Sequence, residues 1–79
     1  MRSATISKEH RLVAEDALDA AIKAMGTSKE LASQLKLSPQ AVSQWEIVPA
    51  NRVLAVEALT GIHRSRLRPD FYPLEVIGA

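Results

Sequence analysis

The chain has 79 residues, no cysteine, two histidines and a formal net charge of +1, and its size allows one domain that buries only about 60% of the unfolded chain's surface. The absence of cysteine excludes disulfides, the histidines lie far apart without ligand-like neighbours, and no apolar run approaches the roughly 18 residues of a membrane span. The amino terminus lacks the apolar core of a signal peptide, so we expect a cytoplasmic domain without metal or cofactor.

The first predicted element is an amphipathic helix that ends at Gly26. Its apolar residues recur at spacings of three and four, as one face of a helix requires. They are Ala14, Leu18, Ala21, Ile22 and Met25. Two starts fit the sequence, because Ser7 has the side chain of an N-cap while residues 1–13 also read as a tail before the helix. Glycine is the usual residue just past a helix end, which is why Gly26 marks the stop.

The second predicted helix begins at Thr27. Glu30 follows three positions later, and this spacing predicts a capping box in which each side chain accepts from the other residue's backbone N–H. The buried stripe of the helix is then expected at Leu31, Ala32 and Leu35.

The third predicted helix begins after Ser38 and runs to about Glu46. Ser38 has an N-cap side chain, and Pro39 takes the first helical position, where its missing N–H is not needed. At about 100° per residue, three polar side chains fall within an arc of roughly 100°. They are Gln40, Ser43 and Gln44. Val42 and Trp45 point the opposite way, so we expect Trp45 in the core rather than as a platform for base stacking.

The rest of the chain predicts a fourth helix and a tail. Pro49 opens the helix, and Thr60 with Gly61 ends it. Its core-facing residues are expected to be Val53, Val56 and Leu59. In the tail, Leu67 is apolar and Phe71 and Tyr72 are expected to pack internally, whereas residues 74–79 are a candidate dimer contact. Together the elements predict an all-α fold, a compact bundle of four to five short helices without a sheet.

The second and third helices together have the pattern of a helix-turn-helix. A short turn over residues 36–38 joins them, and Ala32 is the small residue at their closest approach. The shared core is expected to contain Leu31, Ala32, Leu35, Leu37, Val42 and Trp45. The turn position that glycine often holds is Lys36, which left-handed backbone would strain by about 1 kcal/mol. Glutamine amides match the N6 and N7 edge of adenine, so the pattern predicts base reading in the major groove.

Several stretches in order resemble one protein family. They are residues 41–45 (AVSQW), Val48 and Pro49 with Arg52, Glu57 with Thr60 and Gly61, residues 67–70 (LRPD), and Tyr72 with Pro73. From about Asp16 to Pro73 the chain resembles the Cro-like helix-turn-helix phage repressor superfamily, particularly the YdaS-type prophage regulators to which an antitoxin role is ascribed. The resemblance implies a lambda-repressor-like domain over residues 14–73 that binds operator DNA as a homodimer and represses transcription in a bacterial prophage or mobile element. It also implies a toxin protein as a partner.

Candidate DNA contacts fall into two groups. Base edges are assigned to Gln40, Ser43 and Gln44. Phosphates are assigned to Thr27, Ser28, Lys29, Ser38 and Arg52. Each group has a structural alternative, because solvent exposure alone explains the polar arc and helix capping alone explains Thr27 and Ser28. Arg52 also fits an ion pair with Glu46 or Glu57, and we favour that pairing.

A basic cluster follows the fourth helix. Arg64 and Arg66 are expected to add sequence-independent attraction to the DNA backbone. Each real phosphate contact would add about one unit to the slope of the salt dependence. Arg68 has a competing local partner in Asp70.

Two other classes of function were compared with DNA binding. An enzyme needs a nucleophile with its base, a carboxylate pair in a cleft or a phosphate-binding glycine loop. Three glycines, two distant histidines and dispersed acids assemble none of these, so we expect no catalysis. A helical interaction module that acts as an antitoxin by binding a toxin is the alternative, and in it the polar arc of the third helix would not contribute to DNA binding.

Overall fold

The computed structural model describes residues 6–73, which contain five α-helices and no β-strand. The helices are α1 (Lys8–Met25), α2 (Ser28–Leu35), α3 (Pro39–Ser43), α4 (Val53–Thr60) and α5 (Arg64–Leu67). A 3-10 turn over Ala50–Arg52 leads into α4. The all-α prediction is confirmed, and the candidate dimer contact at residues 74–79 lies outside the described range.

Helix α1 has the N-cap that the sequence offers. The Ser7 hydroxyl accepts a hydrogen bond from the His10 backbone N–H at 3.1 Å. Residues 8–13 therefore belong to the helix and not to a preceding tail. At the other end Gly26 has a φ of 103°, which a side chain would disfavour, and its N–H bonds to the Lys23 carbonyl.

Only half of the predicted capping box forms at α2. The Thr27 hydroxyl accepts from the Glu30 N–H at 3.1 Å, as predicted. The Glu30 carboxylate does not reach back, because it accepts from the Gln34 side-chain amide at 3.1 Å, one turn further along the exposed face. The cap therefore depends on Thr27 alone.

The turn between α2 and α3 has left-handed backbone at Lys36, as the sequence predicted. Lys36 has φ 61° and ψ 40°. Among residues 6–73 it is the only residue other than glycine with a positive φ. Its N–H bonds to the Ser33 carbonyl at 3.1 Å, while the Leu37 N–H bonds to the Ala32 carbonyl at 2.9 Å. These two bonds form a Schellman motif, which satisfies the last carbonyls of α2 and turns the chain toward α3.

Helix α3 is shorter than predicted, because it ends at Ser43 and not near Glu46. Its start is as predicted, since the Ser38 hydroxyl accepts from the Ala41 N–H at 3.2 Å and Pro39 is the first residue. The Trp45 N–H bonds to the Val42 carbonyl at 3.0 Å, three residues back. This tightened last turn directs the chain out of the helix.

One hydrophobic core joins the five helices. Helix α2 packs on α3, and α1 packs on α2, α4 and α5. The core consists of Ala17, Leu18, Ala21, Leu31, Ala32, Leu35, Val42, Val48, Val53, Val56 and Leu67. Ile22, Met25, Leu37, Trp45, Ile62 and Tyr72 pack against it while partly buried. Most of the predicted apolar stripes are thus confirmed.

Two predicted core residues are on the surface. Leu59 is 37% exposed, because Val53, Val56 and Thr60 occupy the inner face of α4 and Leu59 lies beside that face. Phe71 is 55% exposed, and its ring lies under the Arg68 guanidinium at 4.7 Å instead of in the interior. Placing Phe71 inside was therefore wrong, whereas Tyr72 does pack against the core.

Candidate nucleic-acid interface

Helix α3 and its C-cap residue carry the predicted base-reading side chains, and α2 packs against α3. Leu31, Ala32 and Val42 are each at most 1% exposed, so the two helices share a dry contact. Leu37 and Trp45 are only partly buried, although both had been placed in the core of the motif. The contact fixes the orientation of α3 relative to α2, which is the requirement for a helix that enters a DNA groove.

The polar arc of α3 is exposed, as the sequence predicted. Gln40, Ser43 and Gln44 all lie at the surface, although Gln44 is the C-cap residue rather than part of the helix. The Ser43 hydroxyl donates to the Gln40 carbonyl at 3.1 Å, which leaves its oxygen lone pairs facing solvent. Among Gln34, Gln40 and Gln44, only Gln34 has a side-chain amide that is hydrogen-bonded to another residue of the described range 6–73. The amides of Gln40 and Gln44 are therefore available to a ligand.

The candidate phosphate contacts lie at the amino ends of α2 and α3. Thr27, Lys29 and Ser38 are exposed, and Ser28 is half-buried. The Thr27 and Ser38 hydroxyls both cap their helices, so their sequence positions are explained by capping. A capping hydroxyl uses its oxygen as acceptor and keeps its O–H free to donate, so capping and phosphate binding are compatible.

Arg52 does not form the ion pair that we favoured from the sequence. Within residues 6–73, Glu46 contacts the Arg11 guanidinium and Glu57 pairs with Arg64. Arg52 is half-buried at the start of α4 and makes no ion pair in this part of the chain. Because Arg11 pairs with Glu46 and Arg64 pairs with Glu57, the guanidinium of Arg52 is available to a ligand.

Arg64 is held by Glu57 and is thereby less available to DNA than expected. The Glu57 carboxylate accepts from the Arg64 backbone N–H at 3.1 Å and from its side-chain Nε at 3.0 Å. The backbone hydrogen bond, followed by the charge and hydrogen bond of the guanidinium, holds the pKa of Glu57 below its usual value. Arg66 is exposed and makes no ion pair within the described residues.

Arg68 has a structural role that the sequence showed only in part. Its Nε and Nη2 atoms donate to the two carboxylate oxygens of Asp70 at 2.9 and 2.7 Å, which confirms the local pair. Its Nη1 atom also donates to the Val48 carbonyl at 3.0 Å, across 20 positions of sequence. The hydrogen bond from Arg68 lowers the pKa of Asp70. The guanidinium thereby connects the chain after α5 to the segment between α3 and α4.

Sequence reasoning missed Arg11, which connects α1 to the chain that follows α3. Its Nε lies 3.2 Å from the Glu15 carboxylate, and its Nη2 contacts the carboxylate of Glu46, 35 positions away. The spacing of Arg11 and Glu15, four residues apart on one helix, was a local signal for the first contact. The second contact depends on the packing of α1 beside Trp45, for which the sequence gives no signal.

No described helix is long and apolar enough to cross a membrane. No group of three or more histidine, cysteine, aspartate or glutamate side chains is placed to hold a metal ion in this part of the chain.

The chain matches a known protein family. A family model described as "Bacterial toxin YdaS" matches residues 18–76. No curated protein and no solved structure matches the chain. The description names a toxin, where the resemblance noted from the sequence had implied an antitoxin, and both agree on the YdaS type. Since the match covers well over half of the 79 residues, the chain belongs to the YdaS family.

Proposed function

We propose that this protein is a sequence-specific regulator that binds double-stranded DNA through α3 and acts by binding rather than by catalysis. One observation carries the proposal. Helix α3 buries Val42 at 1% exposure and presents Gln40, Ser43 and Gln44 to solvent, with α2 packed behind it. A short helix held in this way projects its polar face into a major groove while its neighbour crosses the DNA backbone.

The exposed side chains of the polar arc of α3 fit the edges of bases better than they fit a surface that contacts only water. Gln40 and Gln44 carry amides that donate and accept together, which is the pattern that adenine presents in the major groove. Pro39, at the first position of α3, has no N–H to donate, so its ring is expected to contact a thymine methyl group. Specificity then depends mainly on the two glutamines.

Phosphate contacts are proposed from the cationic and capping residues around α3. Lys29 stands in the first turn of α2, where backbone N–H groups and the helix dipole favour an anion. Ser38 caps α3, and Arg52 and Arg66 keep their guanidinium groups free of ion pairs within the described residues. Arg64 is a weaker candidate, because DNA would have to compete with Glu57 for it.

A Cro-like dimer is the form that we propose for the bound protein. One copy carries one α3, so two copies would read two half-sites whose centres lie about 34–36 Å apart, one turn of DNA. Such an operator is a near-palindrome, and occupying it in a bacterial prophage or mobile element would repress the transcription that starts there.

A second function is favoured by the family description, which names a toxin. In this alternative the chain is a helical interaction module of a toxin–antitoxin pair and binds a protein partner. The polar arc of α3 would then make no difference to DNA binding, and DNA binding itself would be weak and independent of sequence.

The experiment that tests the proposal is selection of binding sites from a random pool of DNA duplexes at near-physiological salt. We expect enrichment of an inverted repeat with half-site centres about one helical turn apart. Enrichment of a single short site would retain the regulator and contradict the dimer. If a sample with native helicity enriches no sequence, the DNA proposal is wrong and the interaction module takes its place.

A further inference from the structure

An open groove lies between one side of α1 and the chain that follows α3. Its volume is about 570 Å³. Four apolar residues, Leu12, Leu18, Ile22 and Trp45, and four acids, Glu15, Asp16, Asp19 and Glu46, line it. None of these eight belongs to the DNA-reading set, because Trp45 and Glu46 follow the polar arc of α3 and the other six lie on α1.

The rim of this groove is negatively charged in a chain whose net charge is +1. Glu15 and Glu46 share the single guanidinium of Arg11. Asp16 and Asp19 are exposed and make no ion pair within residues 6–73. Carboxylates at this density repel the phosphates of DNA, so the groove is a surface separate from α3.

The apolar part of the groove provides the contact that a protein partner needs. Leu12 is 57% exposed although α1 has a well-formed buried face elsewhere. Trp45 and Ile22 are half-buried and pack on the core with the rest of their surface. Trp45 thus provides an aromatic anchor beside the exposed Leu12, and tryptophan is among the residues enriched at interface hot spots.

We propose that this groove docks an amphipathic segment of a partner protein, with apolar residues that contact Leu12, Ile22 and Trp45 and with lysines or arginines that pair with Asp16 and Asp19. Charge complementarity selects the occupant, because an acidic or neutral segment would leave the carboxylates of Asp16 and Asp19 without a cationic partner. The inference stands on the groove alone, so its outcome is independent of whether α3 binds DNA.

Trp45 makes the proposal directly measurable, because it is the one tryptophan of the chain. The probe is a designed peptide without aromatic residues, about 18 residues or five helical turns long, with leucines on one face and lysines along its borders. One matched peptide replaces every lysine with glutamate, and a second has the same composition in an order that is not amphipathic. We expect the amphipathic lysine peptide to shift Trp45 emission to shorter wavelength and to protect it from acrylamide, a quencher without charge.

Two variants locate the binding. Asp19→Lys reverses one charge on the rim and is expected to weaken the lysine peptide by about tenfold, or 1.4 kcal/mol. Glu9→Lys makes the same charge change on the same helix outside the groove and is expected to change affinity by about twofold or less. Leu12→Gln alters the apolar part of the groove without changing its charge, and the exposed position on α1 tolerates glutamine. If this variant keeps native helicity but loses peptide binding, the peptide binds in the groove.

Three results would overturn the proposal. The first is that Trp45 does not respond to the lysine peptide, and the second is that all three peptides bind equally. The third is that Trp45 becomes protected from the quencher as the concentration of the protein alone rises, and that Asp19→Lys abolishes this protection. The groove would then be occupied by a second copy of the chain. Site selection on Asp19→Lys keeps the two proposals apart, because we expect the same enriched DNA sequences as for the parent protein.

Discussion

Lys36 occupies backbone that favours glycine, and this strain is testable. Its φ of 61° brings a β-carbon close to its own backbone, a cost of about 1 to 2 kcal/mol. We expect Lys36→Gly to raise the free energy of unfolding by about 0.5 to 1 kcal/mol, because glycine removes the strain but adds freedom to the unfolded chain. Urea denaturation followed by circular dichroism measures the change.

Lys36→Ala is the matched control for this prediction. Alanine removes the same exposed charge as glycine but keeps the β-carbon, so we expect no gain in stability. Equal stabilisation by both substitutions would assign the effect to charge rather than to backbone strain.

Gln44 is the residue at which base reading is easiest to isolate. It is exposed at the end of α3, and its side chain makes no hydrogen bond within residues 6–73 that a substitution would break. We expect Gln44→Ala to cost about 1 to 3 kcal/mol of binding at one base pair of the selected operator and to relax preference there. Competition binding against single-base variants of the operator measures both effects.

Gln34→Ala provides the control for Gln44. Gln34 is an exposed glutamine whose amide is already bonded to Glu30 on α2. We expect it to leave base preference unchanged. A uniform loss of affinity on every sequence for Gln44→Ala would mean that Gln44 contacts the backbone or supports the fold and does not read a base.

The N-caps of α2 and α3 and the glycine stops of α1 and α4 were predictable from the sequence. The start of α4 was predicted at Pro49 but lies at Val53, after a 3-10 turn, and the end of α3 and the outer face of α4 were also predicted wrongly. Thr27 and Ser38 cap as expected, and Ser7 takes the cap that was one of the two starts left open, because an N-cap depends on a side chain and backbone three residues apart. Helix α3 ends at Ser43, three residues before the end predicted from periodicity, because its end depends on the packing of Trp45 against α1. Tertiary packing similarly decided which side of α4 faces inward and left Leu59 outside.

Helix α5 was not predicted, because it is short, is capped by a histidine and is stabilised by the burial of Leu67. It has four residues, too few for a periodic pattern. The His63 ring caps it, with Nδ1 accepting from the Ser65 N–H at 3.0 Å, and Leu67 is fully buried against the other helices. Histidine is not among the residues that ordinarily signal an N-cap, so the sequence suggested only a tail.

The segment after α5 depends on the Arg68 guanidinium, and this dependence gives the third prediction. The side chain is only 13% exposed, and it bonds both oxygens of Asp70 and the Val48 carbonyl. Lysine keeps the charge but lacks the planar set of donors, so we expect Arg68→Lys to lower the free energy of unfolding by about 1 to 2 kcal/mol. Thermal and urea unfolding measure the loss.

Arg66→Lys is the matched control for Arg68→Lys. Arg66 lies two positions away, is exposed and makes no ion pair within the described part of the chain. We expect its substitution to leave stability unchanged within about 0.5 kcal/mol. If both substitutions cost the same, the bonds of Arg68 do not hold this segment.

The charges of the folded chain are organised by contacts that its sequence does not reveal. Arg11 meets Glu46 across 35 positions, and Arg64 meets Glu57 across seven. Because these arginines pair with the acids assigned to Arg52, the ion pair predicted for Arg52 was wrong, whereas the exposure of the polar arc of α3 was predicted correctly. The exposure of side chains on a helix follows from helical geometry, whereas the acid that pairs with a given arginine depends on distances in the folded chain.

Stability of the whole molecule is expected to depend on pH through Glu57 and Asp70. Hydrogen bonds from the Arg64 backbone and from the Arg68 side chain lower these two pKa values from their ordinary 4.5 and 3.8. A lowered pKa in the folded state means that the unfolded state binds protons first as the pH falls. The stabilisation is therefore fully present above the ordinary values and is lost as the pH falls through the lowered ones. We expect the free energy of unfolding to decline below about pH 4.5.

The double substitution Glu57→Gln with Asp70→Asn tests whether these two groups cause the decline. It removes both carboxylates, so we expect lower stability than the parent at pH 7 and a flatter profile, with the two curves converging in acid. Asp16→Asn is the control, because Asp16 is exposed and makes no ion pair within residues 6–73, and its profile is expected to run parallel to that of the parent. Urea denaturation at pH 7, 5 and 3 gives the three profiles. Parallel curves for the double variant and the parent would contradict the assignment, since the acid sensitivity would then arise from other groups.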